Sequence, residues 1–403
     1  MSTPAWIDCS PELEAECFSE RSAERTRIFQ DAAKRLDTKM SPSLWAFLQA
    51  ADLEIVKEAT HTDYTWSLVQ KISSKSFCNA ADALRLWRQE PELKTKGDNG
   101  PEENGPEGTE PPFTTPAPKR RHSEAFGSDA SPGTRATRSA KKLGTPGGSV
   151  RRDTKVKHLC KERDSKVCAI TGIGPTTIEA CHIYPFSAFG SNNPNRVDRF
   201  WDVLKMFWTK DKVEAWRAKI FLHNAPHGTD TVENMITFSS LVHGFHTKCL
   251  FALRPVRMTT DKTKLELEFH WIKKQVRDPV TKVDLQEEPQ STKGLTDSTP
   301  CEWLARKEGG VVKIITSGDR FTMTTDDPVN KPLPDPGLLE LQWHLQRIFA
   351  MSGAAGWTDE DFDHEDDSAP PAVPVQQWID DTWEHRQDWG PSREGSLDYG
   401  DGE

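Results

Sequence analysis

The stretch that decides the fold is Ala180-Cys181-His182-Ile183-Tyr184-Pro185, complemented farther along the chain by Glu233-Asn234-Met235-Ile236-Thr237-Phe238. β-Branched and aromatic residues predict a strand that ends at His182 and a second strand that begins after Asn234. His243 follows Asn234 by nine residues, on a helix predicted after the second strand. A strand-end histidine, an asparagine and a helix histidine in this order favour a site for metal and acid–base chemistry.

Further elements are predicted around these two stretches. Upstream, a short helix over residues 155–163 precedes a strand over residues 167–171 and a glycine-rich turn. Between the two stretches lies an insertion with one helix over residues 196–207 and another capped by the Thr209 hydroxyl. A long surface insertion costs little closure entropy, so the two strands are still expected to pair.

The rest of the chain is predicted to be helical at the start and β-rich toward the end. Residues 11–91 carry helical apolar patterns, with helix starts at Pro11 and Ser41-Pro42 and a helix near residues 80–88. Alternation over residues 265–271 predicts a half-buried strand. Residues 311–316 and 320–324 are predicted to pair as a hairpin.

The last predicted element is a helix over about residues 336–351. Asp335 is expected to cap its start, with Pro336 in the first helical position and Gly353 at its end.

The ordered His182, Asn234 and His243, with Phe251-Ala252-Leu253-Arg254-Pro255 and Phe269-His270-Trp271 after them, resemble the HNH endonuclease family, in particular the type found in filamentous fungi. The resemblance implies a ββα-metal fold, in which two strands and a helix surround one site. It makes His182 the general base and His243 a metal ligand. Asn234 would orient His182 or hold the metal-bound water, and the three residues are expected to converge in one pocket.

Two positions depart from the family pattern. The residue before the base, often an aspartate or histidine metal ligand in the family, is Cys181, a soft thiol that suits zinc better than magnesium. The position four residues after the last histidine is Thr247, whereas His246 stands at three residues, so either His246 substitutes as a ligand or the site is short of one ligand. Adjacent strand residues point to opposite faces, so Cys181 is expected to turn away from the site that His182 faces.

The resemblance covers roughly residues 155–356 and gives a fold class of α+β. We expect a ββα-metal HNH core with a helical insertion and a β-rich C-terminal extension, preceded by a small helical region. The predicted organisation is a helical region at 1–93, a disordered linker with a basic arm at 94–152, a nuclease-like domain at 153–356 and a disordered acidic tail at 357–403.

Charge is unevenly distributed along the 403 residues. The formal net charge is −10, but the tail from Asp359 to Glu403 carries fifteen acidic and two basic side chains, which leaves about +3 for the rest. The acidic balance therefore does not exclude a nucleic-acid partner. Three interpretations of the flexible arm stay open: a solvated linker, a segment that binds nucleic acid, and a nuclear-import signal. Its candidate nucleic-acid-binding cations are Lys119, Arg120, Arg121, Lys141 and Lys142.

Some classes of protein are disfavoured by the sequence. No run of about eighteen apolar residues predicts a transmembrane helix, and the first residues show no signal-peptide pattern. The eight cysteines include no Cys-x-x-Cys pair, which is typical of reduced thiols inside a cell. We therefore expect an intracellular protein, in the nucleus rather than the cytoplasm and with no membrane partner.

The leading interpretation is a metal-dependent HNH-type endonuclease that hydrolyses phosphodiester bonds in DNA or structured nucleic acid. Its cofactor would be a divalent ion, Mg²⁺, Mn²⁺ or Zn²⁺. Two alternatives stay open: a catalytically weakened HNH-fold module that binds nucleic acid or protein, and a zinc-stabilised interaction protein whose ligands would be Cys168, Cys181, His243 and His246. The sequence does not specify the oligomeric state.

Overall fold

The computed structural model describes residues 4–9, 21–71, 154–184, 194–221, 230–273 and 281–353. For residues 194–199 it describes the backbone alone. The helix start predicted at Pro11, the helix predicted near 80–88, the linker with its basic arm and the acidic tail lie outside these ranges.

The described elements mix helices and antiparallel strands, which confirms the α+β class. In chain order they are β1 (Trp6–Asp8), α1 (Ala23–Ala33), β2 (Lys39–Met40), α2 (Pro42–Ala50), α3 (Leu53–Ala59), α4 (Asp63–Lys71), α5 (Thr154–Arg163), β3 (Ile178–His182), α6 (Pro194–Lys205), α7 (Lys210–Ile220), a 3₁₀ turn (Val232–Asn234), β4 (Met235–Ser239), α8 (Ser240–Thr247), β5 (Phe251–Thr259), β6 (Lys264–Trp271), β7 (Val283–Asp284), β8 (Ala305–Glu308), β9 (Val311–Ile314), β10 (Arg320–Thr324) and α9 (Pro336–Met351).

The largest sheet has four antiparallel strands in the order β1-β5-β6-β10. β6 is the strand predicted over residues 265–271, but its polar face is buried as well as its apolar face, so the half-buried prediction was wrong. The reason is pairing: Glu268 accepts hydrogen bonds from Arg254 (2.9 Å) and Arg320 (3.1 Å), and its carboxylate lies 2.8 Å from the ring of His270. Paired charges can be buried where single ones cannot.

The hairpin predicted between residues 311–316 and 320–324 is also wrong. β9 pairs with β8 through the two-residue turn Gly309–Gly310, in which both φ angles are positive (58° and 88°). Such turns favour glycine and match the twist of a hairpin. β10 pairs with β6 instead, because Gly318 donates its N–H to the carbonyl of Phe269 (2.8 Å) and returns the chain to that sheet.

Residues 167–171 form a turn and not the predicted strand. Cys168 donates its N–H to the carbonyl of Ile173 (2.7 Å), and Gly172, with a φ of 70°, donates to the carbonyl of Cys168 (2.9 Å). These local bonds consume the backbone groups that a strand would use in a ladder. A single backbone bond, from Ala169 to the carbonyl of Thr237 (2.9 Å), ties the turn to β4.

The insertion between β3 and β4 is helical, as expected, and it buries the aromatic side chains of Phe200, Trp201, Phe207, Trp208 and Trp216. The ring of Phe207 stacks on that of Phe47 from α2, with centroids 4.6 Å apart. Thr209 precedes α7, but its hydroxyl makes no capping bond. Instead, its N–H donates to the Asp52 carboxylate (3.1 Å). The insertion is thus attached to the N-terminal helices as well as to the strands.

One hydrophobic core joins the N-terminal helices, the insertion, the large sheet and α9. The start of α9 follows the prediction: the Asp335 carboxylate accepts from the N–H groups of Gly337 and Leu338, with Pro336 in the first turn. Trp45 on α2 and Leu341 on α9 are both fully buried in this core. The described residues accordingly belong to one compact unit.

Candidate active site

Two strands and a helix form the frame of the site. β3 pairs antiparallel with β4 in a register that sets His182 opposite Met235 and Ile178 opposite Ser239. α8 starts directly after β4, where the Ser239 hydroxyl accepts from the N–H of Val242 (3.4 Å). This cap allows the chain to turn from strand to helix within one residue. The strand–strand–helix order is the one that the sequence predicted.

A buried arginine fixes the approach to this frame. From the end of α5, Arg163 donates to the carbonyls of Val232 (3.0 Å), Met235 (2.8 Å) and Pro332 (2.8 Å), and it pairs with Asp164 (2.8 Å). The side chains of Arg163 and Asp164 are 0% and 4% exposed. One guanidinium therefore joins α5, the turn before β4 and the segment before α9.

His182, the last residue of β3, faces a carboxylate. Its Nε2 lies 2.7 Å from Oδ1 of Asp230, and the two side chains are 7% and 0% exposed. An ionised carboxylate only accepts hydrogen bonds, so a neutral His182 beside it carries its proton on Nε2 and a lone pair on Nδ1. This arrangement orients an imidazole as a general base.

Asn234 holds the backbone just beyond His182. Its Oδ1 accepts from the N–H of Tyr184 (2.8 Å), its Nδ2 donates to the carbonyl of Tyr184 (3.1 Å), and its own carbonyl accepts from the N–H of Ile183 (2.8 Å). The residue is 2% exposed. Asn234 therefore fixes the backbone of the two residues that follow His182, and these hydrogen bonds do not involve the histidine ring itself.

His243 lies on α8 and has a carboxylate of its own. Its Nδ1 is 2.6 Å from Oε2 of Glu179, whose other oxygen accepts from the Ser240 hydroxyl (2.7 Å). These two hydrogen bonds lower the pKa of Glu179. Glu179 and His182 are three residues apart on one strand, so strand alternation places them on opposite faces of the hairpin.

The remaining predicted ligands are turned into the core. Cys181 is buried, its thiol donates to the carbonyl of Glu179 (3.5 Å), and burial raises its pKa well above the usual value. The ring of His246 lies between Phe238 (centroids 5.4 Å apart) and Phe251 (5.7 Å). Burial lowers the pKa of His246 to about 3, which keeps the ring neutral.

The predicted metal ligands do not come together in this structure. Over the described ranges, no group of three or more His, Cys, Asp and Glu side chains is placed to hold a metal ion. A Cys₂His₂ zinc site of Cys168, Cys181, His243 and His246 is therefore not seen there. The cations of the basic arm, from Lys119 to Lys142, and the histidines His223 and His227 lie outside the described residues.

Sequence reasoning missed both carboxylates. Glu179 is the only acidic residue of β3, and a charge within a short strand beside a helix histidine was a usable signal. Asp230 stands four residues before Asn234, at the end of the insertion. Nothing in its local sequence separates it from a turn residue, because its partner His182 is 48 positions away.

No helix in the part of the chain that the structure describes is long and apolar enough to cross a membrane.

Comparison with known proteins identifies one family. Residues 168–254 match the family model HNH_2, described as HNH endonuclease, and this segment runs from the turn before β3 into β5. No curated protein and no solved structure gives a match to the chain. The matched segment contains His182, Asn234 and His243 in the predicted order, and the chain therefore carries a domain of the HNH endonuclease family over residues 168–254.

Proposed function

We propose that the protein is an endonuclease that hydrolyses phosphodiester bonds in DNA or structured nucleic acid, with His182 as the general base. The observation that carries this proposal is the 2.7 Å contact between His182 and Asp230, two side chains almost removed from solvent at the end of a strand. The family match supports a nucleic-acid substrate.

The chemistry assigned to His182 is the removal of a proton from the attacking water. With Nε2 bonded to Asp230, the lone pair of Nδ1 is the base, and the carboxylate stabilises the imidazolium that forms. Asn234 keeps the backbone after His182 in place, so the ring is presented from a rigid support. In this scheme Asp230 and Asn234 are positioning residues.

HNH nucleases generally use a divalent ion. The residues placed by the structure do not fit an ion held by three protein ligands, so no step is assigned to a metal here. The ion expected from the family, Mg²⁺, Mn²⁺ or Zn²⁺, enters the proposal as a variable of the assay.

A second candidate is a nucleic-acid-binding module that has kept the strand–strand–helix frame without cleavage. The lack of a three-ligand group over the described ranges favours it. The two candidates differ in one measurable property. The binding module would bind nucleic acid but would not cleave it under any metal condition.

The test is nicking of supercoiled plasmid with Mg²⁺, Mn²⁺ or Zn²⁺ and in EDTA. Wild type is compared with His182→Ala, with Asp230→Asn, and with His158→Ala as the matched control, because His158 is an exposed histidine on α5. We expect cleavage by wild type and the control, and loss of cleavage in both site variants. Equal cleavage by His182→Ala would reject the assigned base, and no cleavage by wild type under any condition would favour the binding module.

A further inference from the structure

An open cleft of about 470 Å³ lies beside the frame of two strands and a helix formed by β3, β4 and α8. One wall is the turn between α5 and β3, from Asp164 to Gly172. The other wall is formed by residues 306–308 of β8 and residues 320–324 of β10. This second wall lies entirely outside the segment that matches the family, residues 168–254. The cleft is thus formed partly by the family-matched segment, through residues 168–172, and partly by strands outside it.

Three contacts fix the side chain of Arg306 in the wall of the cleft. Its guanidinium lies over the ring of Phe321 at 4.6 Å, Nη1 donates to the carbonyl of Arg320 (3.4 Å), and Nη2 is 3.3 Å from Glu308. Its Nε is buried and has no hydrogen-bond partner over the described ranges. A buried N–H group without a protein partner is satisfied by water or by a bound ligand.

Other cations surround Arg306. Lys307 is exposed and, over the described ranges, enters no ion pair. On the neighbouring strand, Lys313 stands opposite Arg306 in register and pairs with Asp319 (3.3 Å). Glu308 is the exposed carboxylate of this wall. Asp164, on the other wall, is neutralised by its buried pair with Arg163.

These observations together point to an extended polyanion. The cleft is open, so it suits a chain that passes along it. Arginine stacked on an aromatic ring with free donors is the usual partner of phosphate oxygens. Phosphate contacts of this kind fix the position of a nucleic acid without selecting its sequence.

We propose that this cleft, with Arg306 and Lys307 as its phosphate contacts, binds the backbone of the nucleic acid outside the cleavage site. The proposal rests on the nucleic-acid partner proposed above. It assigns substrate binding to the β8–β10 segment and leaves the chemistry to His182.

The experiment measures binding of the full chain to a labelled DNA duplex by fluorescence anisotropy, in EDTA, over a series of NaCl concentrations. The test variant is Arg306→Gln/Lys307→Gln. The control is Lys34→Gln/Lys57→Gln, which removes the same charge from the N-terminal helices. We expect the slope of log K against log salt to fall by about two in the test variant and to remain unchanged in the control, because each phosphate contact contributes about 0.9.

A third variant guards against misfolding, because Arg306 packs on Phe321. Lys307→Glu alters only an exposed side chain and should weaken binding about tenfold at 0.1 M salt through lost attraction and added repulsion. An unchanged salt slope in both test variants, with wild type still binding, would overturn the cleft assignment and leave the proposed nuclease intact. A reduced slope in a protein that never cleaves would support the cleft and reject the nuclease.

Discussion

The side-chain amide of Asn234 is bonded at both ends to the backbone of one residue, Tyr184, which lies 50 positions earlier. The ring of Tyr184 is itself buried and stacks on Trp201, with centroids 5.8 Å apart. Asn234 thereby couples the end of β3, where His182 stands, to the first insertion helix.

Removing this amide should destabilise the fold. Asn234→Ala leaves a buried N–H and a buried carbonyl of Tyr184 without the side-chain partners that they now have. We expect the free energy of unfolding to fall by about 2–4 kcal/mol, measured by urea denaturation. Asn234→Asp, which keeps an acceptor for the Tyr184 N–H, should lose less. Wild-type stability in Asn234→Ala would show that the two hydrogen bonds of the Asn234 amide do not contribute to the free energy of unfolding.

Asp230 should matter for turnover more than for substrate binding. In Asp230→Asn the carboxylate that fixes the proton of His182 on Nε2 is replaced by an amide, so the reactive tautomer is no longer favoured. We expect the nicking rate to fall on the order of 10²- to 10⁴-fold, with DNA affinity in EDTA unchanged. A parallel loss of rate and affinity would indicate a substrate-binding role instead.

Arg163 is predicted to be one of the most sensitive positions in the nuclease frame. Arg163→Gln leaves the Asp164 carboxylate buried without its ion pair and removes donors from three carbonyls. Breaking a buried pair in this way should lower the free energy of unfolding by about 3–5 kcal/mol. The double variant Arg163→Gln/Asp164→Asn should lose less than the sum of the single losses. Additive losses in this double-mutant cycle would reject the coupling.

Buried histidines should make the protein acid-sensitive. His344 on α9 is packed beside Trp208 and Trp216. Its pKa is well below the usual value because of burial, with Lys212 and Arg347 nearby adding to the effect. Below about pH 6.5 the unfolded histidine binds a proton that the folded one does not, so stability falls as the pH falls, by up to about 1.4 kcal/mol per pH unit.

The measurement is the free energy of unfolding between pH 7 and pH 5 for His344→Leu. This variant should show a slope that is shallower by the contribution of about one proton. His246, whose pKa is lowered to about 3, keeps its own contribution in both proteins. His61→Leu, at an exposed position, serves as the control for loss of one histidine. An unchanged slope in His344→Leu would contradict the prediction.

Cys181 should prove structural. Its side chain is buried and donates to the carbonyl of Glu179, so Cys181→Ala should cost about 1–2 kcal/mol of stability and leave metal response and cleavage nearly intact. Cys181→Asp should destabilise more, because it places a carboxylate in an apolar site. A loss of metal response in Cys181→Ala equal to that in His243→Ala would reverse the assignment.

The parts of the fold and site that the sequence predicted correctly are those determined by residues close together in the chain. The strand that ends at His182, the strand that begins after Asn234 and the helix that carries His243 each follow from a short pattern of residues. The start of α9 at Asp335 and Pro336 follows from cap chemistry in the same way. Each of these predictions depends on neighbours within a few positions.

The parts that were missed depend on contacts between distant residues. The choice of β6 as partner of β10 is made by the existing sheet, which a local pattern does not encode, whereas the β8–β9 hairpin follows from the local Gly309–Gly310 turn and could have been predicted. The carboxylates Asp230 and Glu179 become meaningful only once the chain brings them to His182 and His243. Their roles could not be read from spacing.

The shared hydrophobic core has a practical consequence for experiments on the HNH-family segment. The family-matched segment of residues 168–254 shares one hydrophobic core with Trp45, Phe47 and Leu341, none of which it contains, and Phe207 of the segment stacks on Phe47. A fragment that contains only residues 168–254 would expose the apolar side chains that these contacts now bury. We therefore expect that this fragment does not fold when it is fused to another protein. Removal of the N-terminal helices or of α9, or a substitution such as Trp45→Ala, should abolish the function of residues 168–254 even though none of these residues is changed.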